Sequence, residues 1–140
     1  MSTEENKAIA RRYIQDVWDK GDFDAEKELV ADNIVQYLPG QPPAPGLEAH
    51  HQLLTMFLNA FPDWHGPLED VIAEGDKVTT RWTFHGTHQG ELFGIPATGK
   101  QVTLTGMGIY RIENGKIVEL WTNFDQLGML QQLGVVPTIA

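Results

Sequence analysis

Asp125, His88 and Thr122 are the side chains whose chemical type and position suit proton transfer in this chain. Asp125 follows the last predicted strand, where a carboxylate could move a proton or simply cap the helix that comes next. His88 ends a predicted strand within Gly86–Gly90, and its imidazole could act as a base near pH 7 or bond a loop carbonyl. Thr122 carries a hydroxyl, which needs activation by another group before it can accept a proton.

Metal binding and thiol chemistry are not indicated by the sequence. The chain has no cysteine, which excludes disulfides, thiol nucleophiles and thiolate metal sites. His50 and His51 are neighbours on a predicted helix and do not face each other, so they do not form a joint metal site. We therefore predict no metal ion.

The charge of the chain argues against two classes of partner. Ten Lys and Arg residues against 19 Asp and Glu residues give a net charge of -9, which repels phosphate backbones and anionic lipid. No apolar run approaches the roughly 18 residues of a membrane span, and the start lacks the pattern of a secretory signal. We expect no nucleic-acid partner, no membrane association and a cytoplasmic location.

The hydrophobic period changes midway along the chain, from near 3.6 to near 2. Helical spacing of apolar residues predicts helices over 4–19, 24–30 and 47–61, and a last one over 125–133. Alternation and turn residues predict strands over 33–38, 68–73, 77–88, 101–112 and 116–124. Helices followed by an antiparallel meander predict a single α+β domain over 1–140, with helices packed on one face of a curved sheet.

Six stretches of the sequence together resemble a known family. They are Phe61–Trp64, Glu74–Val78, Gly86–Gly90, Gly94–Lys100, Arg111–Glu119 and Gln131–Gly134. In this order and spacing they are similar to the SnoaL-like polyketide cyclases, the ester cyclase branch of the nuclear-transport-factor-2-like superfamily. The resemblance covers nearly the whole chain.

The resemblance implies a cone-shaped fold, in which a curved antiparallel sheet wraps around N-terminal helices, and a homodimer. It implies a mostly apolar cavity that takes a small apolar molecule. Cyclases of this family close a ring by intramolecular aldol condensation without metal or cofactor, and an acidic side chain moves the proton next to a carbonyl. Such a cavity brings the reacting ends together and desolvates the acid, which raises its pKa.

The chain departs from the family at the acid itself. In the cyclases the acid sits in the last strand, after a Trp and three positions before a second Asp. Here Trp121 is followed by Thr122, and Asp125 is the second acid. The supporting histidine of the family would fall near Gly108 and is also missing. Asp125, His88 or Thr122 would then have to do the polar work.

The position of Thr122 also defines the expected cavity face. The side chains expected to line it are Trp18, Leu53, Met56, Phe57, Trp82, Gly106, Gly108, Tyr110 and Leu120. Each apolar member also suits an ordinary core position. Gly106 and Gly108 could mark either a close approach of ligand to backbone or a bend of the sheet.

Three functions remain open on the sequence alone. The first is a cofactor-independent cyclase or isomerase that acts on a small apolar carbonyl compound. The second is a pocket protein that binds such a molecule without converting it. The third resembles the epoxide hydrolases of the same superfamily and would need Arg81, Arg111 and Asp125 to come together.

Overall fold

The first helix changes geometry halfway along its length. The computed structural model describes residues 2–137, and α1 spans Thr3–Arg12. Ser2 caps it: the Ser2 hydroxyl accepts the Glu5 N–H at 3.1 Å, and the Glu5 carboxylate accepts the Ser2 N–H at 3.2 Å. The helix then continues as a π-helical segment, Tyr13–Asp19, which the 3.6-residue period did not reveal.

The remaining elements follow the predicted order closely. The helices are α2 (Phe23–Leu29), α3 (Leu47–Ala60) and α4 (Gln126–Leu133). The strands are β1 (Val30–Tyr37), β2 (Ala44–Pro45), β3 (Leu68–Glu74), β4 (Lys77–Thr87), β5 (Gln101–Glu113) and β6 (Lys116–Phe124). This content confirms the predicted α+β class.

The sheet is mixed rather than purely antiparallel, and it does not close. Its order is β2-β1-β6-β5-β4-β3, and the predicted meander of β3 to β6 forms its antiparallel part. β1 pairs with β6 in parallel, which corrects the predicted antiparallel arrangement. The connection between these two strands runs through α3 and the whole meander, so a long crossover permits the parallel pairing.

The proline-rich segment 39–46, which contains Pro39, Pro42, Pro43 and Pro45, supplies a short edge strand. Its residues Ala44 and Pro45 form β2 and pair with Gln36 and Val35 at the edge of β1. An edge strand tolerates proline because its N–H side needs no partner within the sheet.

Strand alternation places one face of the sheet against the helices. Along β4, Val78, Thr80, Trp82 and Phe84 are buried, as the period of two predicts. In β6 the alternation breaks, because a register shift beside Ile112 leaves both Ile117 and Leu120 buried. Ile117, which simple parity assigns to the opposite face, therefore belongs to the core.

None of the helices within residues 2–137 has the length and apolar character needed to cross a bilayer.

Candidate functional site

An apolar cavity of about 70 Å³ lies between the inner face of the sheet and the helices. The π-helical segment contributes Tyr13, Ile14 and Trp18 to its wall. Because Tyr13 and Trp18 are five residues apart, the π-helical turn brings both side chains to the same side of the helix. A single water needs roughly 10–15 Å³ by the same kind of measure, so the cavity accepts a few waters or a small organic molecule.

Seven of the predicted site residues lie on this wall: Trp18, Leu53, Phe57, Trp82, Tyr110, Leu120 and Thr122. Further aromatic side chains that the sequence reasoning missed join them: Phe61, Trp64, Phe84 and Phe124. Met56 is only partly buried and packs against the core beside the wall. The wall is thus largely aromatic, and the roles of the predicted residues in function stay a prediction.

Gly106 and Gly108 face the core but do not line the cavity, since two aromatic rings occupy the space above them. A Cβ atom at Gly106 would lie 2.8 Å from Cζ3 of Trp82 and closer still to Cη2 and Cζ2. A Cβ atom at Gly108 would lie 3.2 Å from the Tyr110 hydroxyl oxygen. The two glycines therefore leave space for the rings of wall residues. This role differs from the two predicted ones, a close approach of ligand and a bend of the sheet.

Gln36 is a polar wall residue that the sequence reasoning did not identify. It lies on β1 and is 4% exposed, and its Oε1 atom has no hydrogen-bond partner within residues 2–137. A buried amide without a partner costs free energy unless a ligand or water satisfies it. The amide can donate to a carbonyl oxygen or accept from a hydroxyl.

Asp125 accepts a backbone hydrogen bond at the start of α4. Its Oδ1 atom accepts the Gly128 N–H at 2.9 Å, so its geometry is that of a helix N-cap. Asp125 is not part of the cavity wall. Its suggested part in proton transfer remains an untested prediction.

His88 is fully buried behind the wall. Its Nδ1 atom accepts the Thr98 N–H at 3.2 Å and lies 3.0 Å from the Thr98 hydroxyl oxygen. Its ring packs against the wall residue Phe61, and His88 itself is not part of the wall. Because Nδ1 accepts, the neutral ring carries its proton on Nε2, whose position is inferred from this network.

A buried chain of hydrogen bonds approaches the cavity from the helices. The Tyr13 hydroxyl oxygen lies 2.7 Å from His50 Nε2, and His50 Nδ1 lies 2.6 Å from Glu26 Oε2. The other carboxylate oxygen, Glu26 Oε1, lies 2.7 Å from His51 Nδ1. Tyr13, His50 and Glu26 are each 1% exposed.

Sequence reasoning considered His50 and His51 only as a metal pair and missed this chain. One signal was available, because His50 precedes Leu54 and Phe57 by four and seven residues on the buried stripe of α3. The partner residues come from α2 and from the π-helical segment, so the sequence alone could not identify them. Among residues 2–137, no three His, Asp or Glu side chains are arranged to hold a metal ion.

The pKa values of the buried glutamate and tyrosine side chains follow from burial and pairing. Burial acts to raise the pKa of the Glu26 carboxyl, but the hydrogen bonds from His50 and His51 together hold that pKa below its usual range. Burial raises the pKa of the Tyr13 phenol well above its usual range. Burial also raises the pKa of Tyr110 to about 12, although Thr80 donates a hydrogen bond to its oxygen.

The residues required for an epoxide-hydrolase-like cluster are not brought together. Arg81 pairs with Glu69 and with Asp70, and its Nε atom lies 2.7 Å from the Asp70 carboxylate. Arg111 pairs with Glu119 at 2.6 Å. Neither arginine is part of the cavity wall, and Asp125 caps α4.

Comparison with solved structures places the fold. A SnoaL-like protein from Jannaschia sp. CCS1 superposes with a TM-score of 0.90 over 96% of this chain and 95% of its own, at 20% identity. IdmH of Streptomyces antibioticus, assigned as a polyketide cyclase, superposes with a TM-score of 0.80 at 32% identity, over 92% of this chain and 98% of its own.

Comparison with known sequences gives the family. The aklanonic acid methyl ester cyclase DnrD of Streptomyces peucetius is 31% identical over 133 residues, which cover 90% of this chain and 88% of that protein. The family model of the SnoaL-like polyketide cyclases matches residues 8–133. Since this match spans the helices, the sheet and the whole cavity wall, the chain belongs to the SnoaL-like polyketide cyclase family.

Proposed function

We propose that the chain is a cofactor-independent cyclase or isomerase that acts on a small apolar carbonyl compound by acid–base chemistry in the cavity. One observation carries the proposal: an aromatic cavity with a single buried amide, Gln36, whose oxygen has no partner in the described part of the chain. An apolar carbonyl compound would satisfy both features in its enol form, whose O–H can donate to Gln36 Oε1. The kinship with an aklanonic acid methyl ester cyclase supports a cyclisation.

The cavity sets the size of the ligand. At about 70 Å³ it fits a one- or two-ring ketone only if wall side chains give way. Trp18 and Trp64 are partly buried and pack on each other with ring centroids 4.6 Å apart, so both indoles are wall residues with room to move. A larger substrate would need both indoles to swing outward.

A panel of small aromatic ketones tests the proposal. Three of the four tryptophans line the cavity, so acetophenone, 1-indanone or 1-tetralone should quench the intrinsic fluorescence on binding. A Trp121→Phe variant, which removes the tryptophan outside the wall, should show the same titration. Catalysis of enolisation should appear as exchange of the α-hydrogens for deuterium in D₂O, followed by NMR. A bound ketone whose exchange is no faster than in buffer would refute the enzymatic assignment.

A non-catalytic pocket protein is the second candidate, and one observation favours it. Thr122 lies on the wall at the position where the resemblance places the acid of the cyclases, and a threonine hydroxyl is too weak a base to replace it alone. This candidate predicts that the same ketones raise the melting temperature without exchange or product.

We also propose that the chain is a homodimer located in the cytoplasm. The outer face of the sheet carries Met107 and Ile109, which are 51% and 41% exposed and pair in register with Asn123 and Trp121. An exposed apolar patch of this kind suits an interface between copies. Light scattering after size exclusion should give twice the mass of the chain, and Met107→Glu should give the monomer. A monomeric parent chain would rule out the dimer.

A further inference from the structure

We propose that Tyr13, His50 and Glu26 form the proton-transfer unit of the cavity, in which the Tyr13 hydroxyl is the catalytic group and His50 and Glu26 position it. The inference rests on the proposed function, because it assigns the groups that carry out that chemistry. It places the acid–base chemistry on the helices rather than on β6.

The three residues come from three separate elements and meet in the core. Tyr13 lies in the π-helical segment, His50 on α3 and Glu26 on α2. The two hydrogen bonds that join them are 2.7 and 2.6 Å long, and all three residues are 1% exposed. A buried carboxylate and imidazole cost desolvation free energy, so each must be fully paired in the folded chain.

The carboxylate fixes where the protons lie. An ionised carboxylate only accepts, so His50 Nδ1 must donate to Glu26. In the neutral ring His50 Nε2 is then an acceptor, and the Tyr13 hydroxyl donates to it. The order hydroxyl, imidazole, carboxylate is that of a catalytic triad, with a phenol as the terminal hydroxyl.

The tyrosine end of this hydrogen-bonded unit lies at the cavity. Tyr13 is part of the wall, whereas His50 and Glu26 are not. The charged end is therefore kept away from an apolar ligand, and Tyr13 is the member of the unit that contributes to the wall. Gln36 lies on the same wall, and its amide N–H could donate to the ketone oxygen while Tyr13 serves the neighbouring carbon.

The proton transfers balance without a further reactant. The Tyr13 oxygen takes a proton from the carbon next to the ketone carbonyl, and the electrons of that C–H bond form the enolate. In the same step the Tyr13 O–H proton passes to His50 Nε2, and Glu26 stabilises the imidazolium. When the enolate carbon bonds to a second carbonyl, the imidazolium returns its proton through Tyr13 to the new alkoxide.

Tyr110 is the competing phenol on the wall, and its surroundings differ. Thr80 donates to the Tyr110 oxygen at 3.1 Å, so this phenol has a donor beside it rather than a base. The two rings pack edge to face with centroids 5.6 Å apart. Burial raises the pKa of both phenols, so a proton leaves only where an acceptor is hydrogen-bonded, as at Tyr13.

The test compares Tyr13→Phe with a matched control, Tyr37→Phe. Both changes remove one phenol oxygen, but Tyr37 lies outside the cavity wall, stacked on Trp121. We expect Tyr13→Phe to bind 1-tetralone as the parent does and to lose about 10²–10⁴-fold in the rate of α-hydrogen exchange, the usual contribution of a general acid–base group. Tyr37→Phe should exchange at the parent rate.

Glu26→Gln tests the positioning role separately. His51 holds Oε1 of residue 26, so the amide nitrogen of the variant would face His50 Nδ1 and donate to it. The His50 proton then moves to Nε2 and Tyr13 loses its acceptor, so exchange should fall although phenol and imidazole are both present. The tautomer is read from the ¹⁵N shifts of His50, which distinguish a protonated from an unprotonated ring nitrogen. The parent should carry its proton on Nδ1.

Each result bears on one of the two assignments. Three results would overturn the proton-transfer unit and leave the proposed function standing. The first is exchange by Tyr13→Phe at the rate of Tyr37→Phe, and the second is an equal loss of binding and exchange in Tyr13→Phe. The third is a parent His50 that is protonated on Nε2. A parent protein that catalyses no exchange overturns the proposed function and, with it, this inference.

Discussion

Replacing Gly106 by alanine should destabilise the protein, whereas the same change at Gly108 should not. Both glycines lie on β5, face the core and have backbone conformations that alanine can adopt, since neither has a positive φ. The pair therefore isolates the effect of a single added methyl group beneath two different rings. At Gly106 that ring is the Trp82 indole on the cavity wall.

The magnitude follows from the two contacts. Carbon atoms pack best at roughly 3.5–4.0 Å, so a Cβ atom 2.8 Å or less from three indole atoms forces Trp82 to move by about 1 Å. Overpacking of this kind costs about 1–3 kcal/mol, and the stiffer unfolded chain returns about 0.4–1 kcal/mol. At Gly108 the nearest atom is the Tyr110 hydroxyl at 3.2 Å, which has to yield by a few tenths of an ångström only.

We expect Gly106→Ala to lose about 1–2 kcal/mol and Gly108→Ala to stay within about 0.5 kcal/mol of the parent. Urea unfolding measures both, and the melting temperatures should differ by about 3–8 °C. Because Trp82 is a wall residue, its displacement in Gly106→Ala should also weaken ketone binding. Equal stabilities for the two variants would show that the Trp82 ring is not seated on Gly106.

Two further changes probe the cap and the buried carboxylate. Asp125→Ala should lower the free energy of unfolding by about 1 kcal/mol, because the α4 cap is lost, and should leave ketone exchange unchanged. A large loss of exchange with the fold intact would instead support a catalytic role for Asp125. The folded-state pKa of Glu26 is depressed, so its contribution is complete above the unfolded-state pKa and is lost as the pH falls through the folded-state value. Urea melts at pH 7 and in acid should therefore show a steeper loss for the parent than for Glu26→Gln.

The sequence predicted most of the fold because its local signals agree with each other. Alternation in β4 and β5, the Asn114–Gly115 turn and the stripe on α3 each specify an element and its buried face. The π-helical segment was missed, because Tyr13, Ile14 and Val17 also fit the 3.6-residue period. The parallel pairing of β1 with β6 was missed because nothing local in either strand records its partner.

The site was predicted less completely, and the reason is physical. Residues on the cavity face of a strand can be found by counting in twos, which identified Trp82, Tyr110, Leu120 and Thr122. Asp125 and His88 were selected for their chemical type, and the structure uses both in hydrogen bonds outside the wall. The hydrogen-bonded chain from Glu26 to Tyr13 depends on how three helical segments pack, which a linear pattern does not encode.

Placing the charge behind the cavity has an energetic consequence. A carboxylate on the cavity face must give up its water whenever an apolar ligand binds, and that cost recurs with every binding event. The Glu26 carboxylate is already buried and paired with His50 and His51 in the folded chain, so its desolvation is part of the folding free energy instead. Only a neutral phenol then meets the ligand. Under the proposed assignment, Thr122 leaves this strand face of the cavity without an acid, and the proton moves through Tyr13, His50 and Glu26 instead.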